Sequence, residues 1–323
     1  MQQKQQFDKL QDYVSGKIIG QADLVNRLLV ALLADGHLLV EGAPGLAKTR
    51  AIQVLSQAIE GDFHRVQFTP DLLPADITGT EIFQPQTGEF EFRRGPLFHN
   101  MVLADEINRA PAKVQSALLE AMAERQITVA GVSYKLAEPF MVMATQNPIE
   151  QEGTYHLPEA QLDRFLMHVR VGYPSLEAEQ EILRLNRAEA LQTIQQQSDS
   201  PEVIISKHDI REARQQVMQL YMAESVESYL LQLVMASRNP KAYNPELANN
   251  IAFGASPRAT MALDRCARAH AWLQGRDYVG PDDVQSIAHE VLRHRILLSF
   301  EGEASGKTSD QIIDELLSLV AVP

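Results

Sequence analysis

The chain has 323 residues, 45% of them hydrophobic and 22% charged, and its 29 Lys and Arg against 42 Asp and Glu give a net charge of −13. At about 150 residues per domain this predicts two globular domains, and the acidic balance argues against bulk binding to nucleic acid or anionic membranes. The sequence has neither an apolar run of roughly 18 residues for a transmembrane segment nor a signal peptide, and its one cysteine, Cys266, fits a cytoplasmic location.

The first half of the chain alternates short apolar runs with helical patterns. The runs at 38–40, 101–104, 140–144 and 167–171 are each closed by turn or polar residues, which is typical of buried parallel strands. A helix is predicted to start at Pro111, because Val114, Leu118, Ala121 and Met122 follow at helical spacing. Strands that alternate with helices indicate an α/β fold.

Two hairpins and a helical region complete the predicted elements. Residues 83–98 and 126–140 each contain alternating residues around a turn. From 176 onward the periodicity is helical, with helix starts at Ser206 and at Gly280-Pro281, and the polar segment 195–200 is expected to be an exposed loop. We predict domains at 1–174 and 175–323.

The segment that follows the first predicted strand has the pattern of a phosphate-binding loop. Backbone N–H groups of such a loop, together with the N-terminus of the next helix, bind phosphate oxygens. Lys48 is expected to neutralise the β- and γ-phosphates of ATP, and Thr49 to offer a hydroxyl to Mg²⁺. Ala47 replaces the usual second glycine, and we expect a negative φ there. The residues of this segment that are predicted to bind the nucleotide are Gly42, Ala43, Pro44, Gly45, Leu46, Ala47, Lys48, Thr49 and Arg50.

Polar residues end the next two predicted strands. Asp105 is expected to hold Mg²⁺ through its water shell, and Glu106 to orient and polarise the attacking water. Asn147 can hydrogen-bond the γ-phosphate and that water, because an amide does not compete for the metal. The alternative for Asn147 is a turn residue before Pro148. Two nucleotide motifs in this order favour hydrolysis over binding alone.

The chain resembles the MoxR family of AAA+ ATPases, in the clade with a helix-2 insert. The residues that carry the resemblance lie at 41–49, 104–111, 144–148, 157–165 and 254–258. It implies a P-loop NTPase fold with a parallel sheet core and a C-terminal all-α lid domain. It also implies an adenine pocket that draws on Ile18, Ile19 and Gly20.

The resemblance further implies roles for arginines. Arg164 matches the arginine finger, which reaches the γ-phosphate bound by a neighbouring subunit, and Arg258 matches sensor 2, acting in cis or in trans. A surface salt bridge is the alternative for each. Arg109, which follows the metal motif, is a candidate to face a neighbouring subunit.

The same resemblance implies a ring, a hexamer, that remodels or matures protein or metalloenzyme complexes with a partner that carries a von Willebrand factor A domain. The hairpins, a helix-2 insert at about 83–98 and a second hairpin at about 126–140, then point towards the pore. Phe90, Phe92, Arg93 and Arg94 would contact the client, although Phe90 and Phe92 can equally cover the insert's own core. The rival functions are a nucleic-acid-dependent motor, against which the charge of −13 counts, and a nucleotide-gated binding module.

Overall fold

The structure, a computed structural model, describes residues 2–149, 153–195 and 203–323. Most of the predicted polar loop at 195–200 lies outside the described residues. Within those three ranges, no helix combines the length and the apolar character that a membrane span needs.

The helices and strands follow in chain order. The helices are α1 (Gln2–Lys17), α2 (Ala22–Leu33), α3 (Lys48–Gln57), α4 (Pro74–Thr78), α5 (Ala112–Glu124), α6 (Glu159–Leu162), α7 (Leu176–Ile194), α8 (Lys207–Gln219), α9 (Glu224–Arg238), α10 (Pro245–Ala248), α11 (Pro257–Leu273), α12 (Pro281–Leu292), α13 (Phe300–Ala304) and α14 (Ser309–Leu319). The strands are β1 (Leu38–Gly42), β2 (Phe63–Gln67), β3 (Gly79–Gln84), β4 (Glu89–Arg94), β5 (Met101–Asp105), β6 (Gln126–Val129), β7 (Val132–Lys135), β8 (Met141–Gln146), β9 (Met167–Val171), β10 (Tyr221–Met222), β11 (Ile251–Phe253), β12 (Tyr278–Val279) and β13 (Leu297–Leu298).

Five strands form one sheet in the order β2-β5-β8-β1-β9. Strand β1 pairs with β8, β8 with β5 and β5 with β2, all in parallel. The register sets Ala104 beside Ala144 and Val40 beside Thr145, so β1, β5 and β8 end at the same edge. The four predicted strands are confirmed as β1, β5, β8 and β9, and the α/β fold with them.

Strand β2 is the one strand of this sheet that the sequence analysis missed. It lies at the sheet edge, and within it only Val66 is buried. An edge strand that is mostly exposed lacks the continuous apolar run that identifies a central strand. This omission matters, because β2 carries two side chains of the candidate site.

Helices cover the sheet through apolar residues at helical spacing. In α2 the buried Leu24, Leu28 and Leu32 recur every four residues and therefore lie on one face. The predicted helix at 111 is confirmed as α5: Pro111 is its N-cap, and the four apolar residues predicted for its inner face are buried.

Both predicted hairpins are present. Strands β3 and β4 pair antiparallel with Phe83 opposite Phe90, and β6 pairs with β7 across the turn at Ala130-Gly131. Phe92 of β4 stacks on Tyr134 of β7, with ring centroids 4.3 Å apart and an angle of 20° between the planes. Phe90 is 68% exposed and contacts the half-exposed Phe83. Phe92 therefore packs between the hairpins, whereas Phe90 presents its ring to solvent.

The C-terminal half is helical, as predicted, with four short strands in addition. Helix α11 packs on α9 and α12, and α12 packs on α14. The buried Leu263 and Cys266 of α11 belong to this core. The predicted helix starts are confirmed: Ser206 and Asp209 cap α8 reciprocally, and the Asp283 carboxylate accepts from the N–H of Gly280 at 2.9 Å.

By contacts the chain divides into two compact units. One comprises Met1–Leu157 and Val169–Glu212, and the other Pro158–His168 and Ala213–Pro323. The contacts thus group α7 with the sheet and the segment around Arg164 with the C-terminal helices. The predicted domain boundary between residues 174 and 175 stays a prediction.

Candidate functional site

The loop between β1 and α3 turns through two residues with left-handed backbone. Gly45 has φ of 84°, and Ala47, directly before the first residue of α3, has φ of 58° and ψ of 14°. The expected negative φ at Ala47 is therefore wrong. The turn into α3 requires the left-handed conformation in which glycine is usual, and the alanine Cβ costs about 1–2 kcal/mol there.

This geometry predicts how two loop variants affect stability. We expect Gly45→Ala to destabilise the protein by about 1–2 kcal/mol, because alanine is strained at a left-handed φ. Steric clash adds nothing to this cost, since an added Cβ meets no atom within 4 Å. Ala47→Gly relieves the same strain but adds flexibility worth about 0.5–1 kcal/mol to the unfolded chain, so its stability should equal or exceed that of the wild type. Urea midpoints of the two variants measure this, and a clear loss of stability in Ala47→Gly would contradict it.

Lys48 places its ammonium group inside the loop. The side chain is buried, and its Nζ donates to the carbonyl oxygen of Gly42. Burial lowers the pKa of Lys48, while the carboxylates of Asp105, Glu106 and Glu41 act in the opposite direction. The ammonium group is thus held in a partly desolvated position where it can neutralise phosphate charge.

At the end of β5, Asp105 has both carboxylate oxygens engaged. Oδ1 accepts from the Thr145 hydroxyl at 2.6 Å. Oδ2 accepts from Arg65 Nη2 at 2.6 Å and from Arg65 Nε at 3.1 Å. The Thr145 hydroxyl in turn accepts from the backbone N–H of Glu106 at 2.9 Å. Thr145 therefore fixes the two consecutive acidic residues at the strand end.

Glu106 turns out of the strand with a left-handed backbone, φ of 58°. Its Oε2 accepts from Gln67 Nε2 at 2.7 Å and lies 3.1 Å from Arg109 Nη1. These two partners aim the carboxylate along the strand ends. Arg109, a candidate to face a neighbouring subunit, thus contacts Glu106 within its own chain, and the intersubunit role stays a prediction.

Three polar residues of this arrangement had no predicted role. Arg65 and Gln67 are two residues apart on β2 and so share one face of the strand, and Gln67 pairs with Asp105 in the sheet register. Thr145 was noted only within the run that ends at Pro148. Parallel pairing of β2 with β5 would have placed Arg65 and Gln67 near Asp105. That inference was possible only if β2 had been recognised as a strand.

Asn147 is buried and lines the same cleft as Lys48 and Glu106. Its Oδ1 accepts from the N–H of Ile149 at 3.1 Å, so it stabilises the turn at Pro148. The amide nitrogen is the group that can donate to a phosphate or to water. The turn role of Asn147 is thus observed, and its contact with the γ-phosphate and the attacking water stays a prediction.

The loop and the strand ends enclose a cleft of about 380 Å³. Its lining residues are Pro44, Gly45, Leu46, Ala47, Lys48, Thr49, Arg50, Arg65, Gln67, Asp105, Glu106, Thr145, Gln146 and Asn147. The Thr49 hydroxyl and the Asp105 carboxylate are hard oxygen donors, and Mg²⁺ in nucleotide sites uses one or two such protein ligands plus phosphates and water. The residues present fit a magnesium–nucleotide complex.

A smaller apolar pocket of about 110 Å³ adjoins the loop. Its lining includes the predicted Ile18 and Ile19, together with Leu46 and Ile182. Gly20 is not part of that lining. Its φ is 76°, and a Cβ there would lie 2.9 Å from a Pro174 side-chain carbon. Gly20 therefore allows Pro174, which lines the pocket, to pack closely against its backbone.

Arg50 lines both the cleft and the apolar pocket. Its Nε donates to the carbonyl oxygen of Lys17 at 3.1 Å, and its Nη1 donates to Glu189 at 3.0 Å. These bonds tie α3 to the end of α1 and to α7. The contact with the nucleotide predicted for Arg50 stays a prediction.

The other two predicted arginines belong to the second compact unit. Arg164 is half-buried and follows α6 closely. Arg258 stands at the start of α11, about half exposed, with Nη1 3.9 Å from Asp163 Oδ2. Asp163 therefore lies next to Arg164 in the chain and close to Arg258 in space.

Two family models match the chain. The model described as the ATPase family associated with various cellular activities (AAA) matches residues 37–167, and the model of the AAA lid domain matches residues 247–316. The first range contains the whole 380 Å³ cleft, and the second contains α11 and α12.

Sequence similarity to known proteins extends over nearly the full length of this chain. The Bacillus subtilis protein YeaC is 44% identical over 98% of this chain and 94% of its own. Chaperone MoxR1 of Mycobacterium tuberculosis is 44% identical over 95% of this chain and 79% of its own length. Protein MoxR of Paracoccus denitrificans is 32% identical over 96% of this chain and 94% of its own length. A crystal structure of a Cytophaga hutchinsonii protein has 45% identity and a TM-score of 0.91 over 99% of this chain and 96% of that chain.

Proposed function

Since the chain belongs to the MoxR family of AAA ATPases, we propose that its ATP hydrolysis takes place with Mg²⁺ in the 380 Å³ cleft and drives remodelling of protein complexes by a ring of subunits. The observation that carries the proposal is the position of Glu106. Its carboxylate lines the cleft that Lys48 and Asp105 also line. A base beside a phosphate-binding loop is what hydrolysis needs beyond binding.

The loop and the strand ends divide the work of the reaction. Lys48 neutralises charge on the β- and γ-phosphates, and the loop N–H groups hold the phosphate oxygens. Thr49 and Asp105 would hold the metal ion, which supplies positive charge to the phosphates when it is bound. Because Arg65 also bonds the Asp105 carboxylate, it holds that group in one orientation.

Glu106 and Asn147 act on the attacking water. The Glu106 carboxylate accepts a proton from the water as the water oxygen bonds to the γ-phosphorus. The bond from that phosphorus to the β–γ bridging oxygen breaks at the same time, and ADP leaves with the electron pair. Gln67 and Arg109 hold that carboxylate in place. The amide nitrogen of Asn147 donates to the γ-phosphate or to the same water.

Arg164 and Arg258 complete the proposal as charge-stabilising groups. We assign Arg164 to the site of the neighbouring subunit, where it stabilises negative charge in the transition state, and Arg258 to the nucleotide as sensor 2. The assembly is a hexameric ring, with a von Willebrand factor A domain protein as partner and a protein or metalloenzyme complex as client. The presence of a single cysteine, the buried Cys266, supports a reducing, cytoplasmic location.

The exposed aromatic pair Phe83–Phe90 supports the client role of the first hairpin. The two rings lie 5.3 Å apart and form an exposed apolar surface. Phe92 instead anchors the hairpin through Tyr134. Client contact is therefore assigned to Phe90 rather than to Phe92, and client contact by Arg93 and Arg94 stays a prediction.

The remodelling and motor functions predict different responses to nucleic acid. We expect single- or double-stranded DNA at physiological salt to leave phosphate release within about twofold of its basal rate, because a net charge of −13 opposes binding to the DNA phosphates. Phosphate release with and without DNA measures this. A many-fold increase would replace the remodelling proposal with the motor.

A further inference from the structure

One buried arginine, Arg295, bonds the backbone on both sides of Arg164. Its side chain is 2% exposed. Nη2 donates to the carbonyl oxygens of Phe165 at 2.6 Å and Asp163 at 3.2 Å. Nη1 donates to the carbonyl oxygen of Leu166 at 3.1 Å. One planar guanidinium group therefore holds three carbonyl groups that flank Arg164.

The charge of Arg295 is balanced by the residue that precedes Arg164. Its Nε donates to Asp163 Oδ1 at 2.7 Å, and Nη1 also donates to the carbonyl oxygen of Val291 at 2.5 Å. A buried guanidinium is tolerated only when its charge is paired and its donors are satisfied. Every nitrogen of Arg295 has a partner here, so the side chain has one defined position.

The second carboxylate oxygen of Asp163 reaches the helix that carries Arg258. Oδ2 accepts from the Ser256 hydroxyl at 2.8 Å and lies 3.9 Å from Arg258 Nη1. Ser256 is the N-cap of α11, and its Oγ accepts from the N–H of Arg258 at 3.1 Å. One carboxylate therefore links the Arg164 turn to the first turn of α11.

We propose that Arg295 is a positioning residue for ATP hydrolysis, because it fixes the turn that presents Arg164 and, through Asp163, the helix start that presents Arg258. The inference rests on the proposed role of Arg164. An arginine that must meet a transition state in another subunit loses effect when its backbone shifts, and a misplacement of about 1 Å costs about 10²-fold in rate. Only arginine supplies this planar set of donors, since lysine has three donors on a single nitrogen.

The test compares Arg295→Lys with a matched buried arginine, Arg293→Lys. Arg293 is 9% exposed and bonds the carbonyl oxygen of His168 at 2.7 Å and Asp310 at 2.7 Å. Arg293 thus contacts the chain at His168, after the turn that carries Arg164. We expect Arg295→Lys to lower kcat by about 10–100-fold with the ATP dissociation constant unchanged, and Arg293→Lys to keep kcat within about threefold at a similar loss of thermal stability.

Mixing with Lys48→Ala subunits separates positioning from general damage. A Lys48→Ala subunit keeps an intact Arg164 turn and can serve a neighbour's site. Phosphate release by Arg295→Lys should therefore recover in the mixture, as it should for Arg164→Ala. Where Arg295→Lys does not fold, Asp163→Asn replaces it, since it weakens the same link and keeps the side-chain shape.

Each outcome decides one claim. If Arg164→Ala recovers on mixing but Arg295→Lys keeps full kcat, the positioning role of Arg295 is overturned and the Arg164 assignment stands. If Arg295→Lys loses kcat without recovery, the positioning of Arg164 by Arg295 is overturned. If Arg164→Ala itself keeps its activity or fails to recover, the intersubunit arginine is overturned and the Arg295 inference with it. Recovery of both variants, with Arg293→Lys unaffected, supports the inference.

Discussion

We expect Arg164→Ala to lower the turnover number for ATP by roughly 10³–10⁵-fold, the size of effect that arginine fingers have in related phosphoryl transfers. This corresponds to about 4–7 kcal/mol of transition-state stabilisation. Because Arg164 belongs to a compact unit separate from the loop that carries Lys48, ATP binding should change little. Steady-state phosphate release and nucleotide titration measure the two effects.

The intersubunit position of Arg164 is tested by mixing inactive variants. In a ring formed from equal amounts of Arg164→Ala and Lys48→Ala subunits, about a quarter of the sites combine an intact loop with an intact neighbouring arginine. Turnover should therefore recover to about a quarter of the wild-type value. The specific activity of the wild type should also rise with protein concentration. Arg265→Ala, an exposed arginine on α11, is the control and should behave as wild type. No recovery in the mixture would count against action between subunits.

The second large effect is expected from Glu106→Gln. The amide has the shape of the carboxylate but cannot accept a proton, so phosphate release should fall by about 10²–10⁴-fold. ATP affinity should stay within a few-fold, since Lys48 and the loop are unchanged. Loss of the half-exposed pair with Arg109 costs about 0–1 kcal/mol, so the variant should fold normally. Nucleotide titration and thermal unfolding check the two controls.

How much of the fold followed from sequence depended on how deeply each element is buried. Strands β1, β5 and β8 are covered on both faces and therefore read as apolar runs. Strand β2 exposes most of its side chains at the sheet edge and left no such run, so the side chains of Arg65 and Gln67 were lost with it. The edge position of a strand is a property of the assembled sheet.

Backbone conformation at the site was predictable only where residue type requires it. Gly45 adopts a left-handed φ, as glycine commonly does. Ala47 adopts one as well, because the turn into α3 outweighs the preference of an alanine. Glu106 shares that conformation, although glutamate is not a residue type that favours it. In each of the two non-glycine cases the surrounding fold imposes about 1–2 kcal/mol of strain.

Contacts between distant parts of the chain were the hardest to predict. The stack of Phe92 on Tyr134 joins two hairpins whose patterns were recognised separately. The bonds of Arg295 to the Arg164 turn span about 130 residues of sequence. Such pairings depend on helix packing, for which hydrophobic periodicity gives the buried face but not the partner.

Single-turnover phosphate release tests most directly whether the cleft at Glu106 is the site of hydrolysis. Wild type, Glu106→Gln and the exposed control Glu120→Gln are each loaded with ATP to the same occupancy and then followed in Mg²⁺ buffer. We expect equal rates for wild type and Glu120→Gln and a rate lower by about 10²-fold or more for Glu106→Gln. Equal rates in all three proteins would mean that hydrolysis does not depend on Glu106 and that this cleft is not its site.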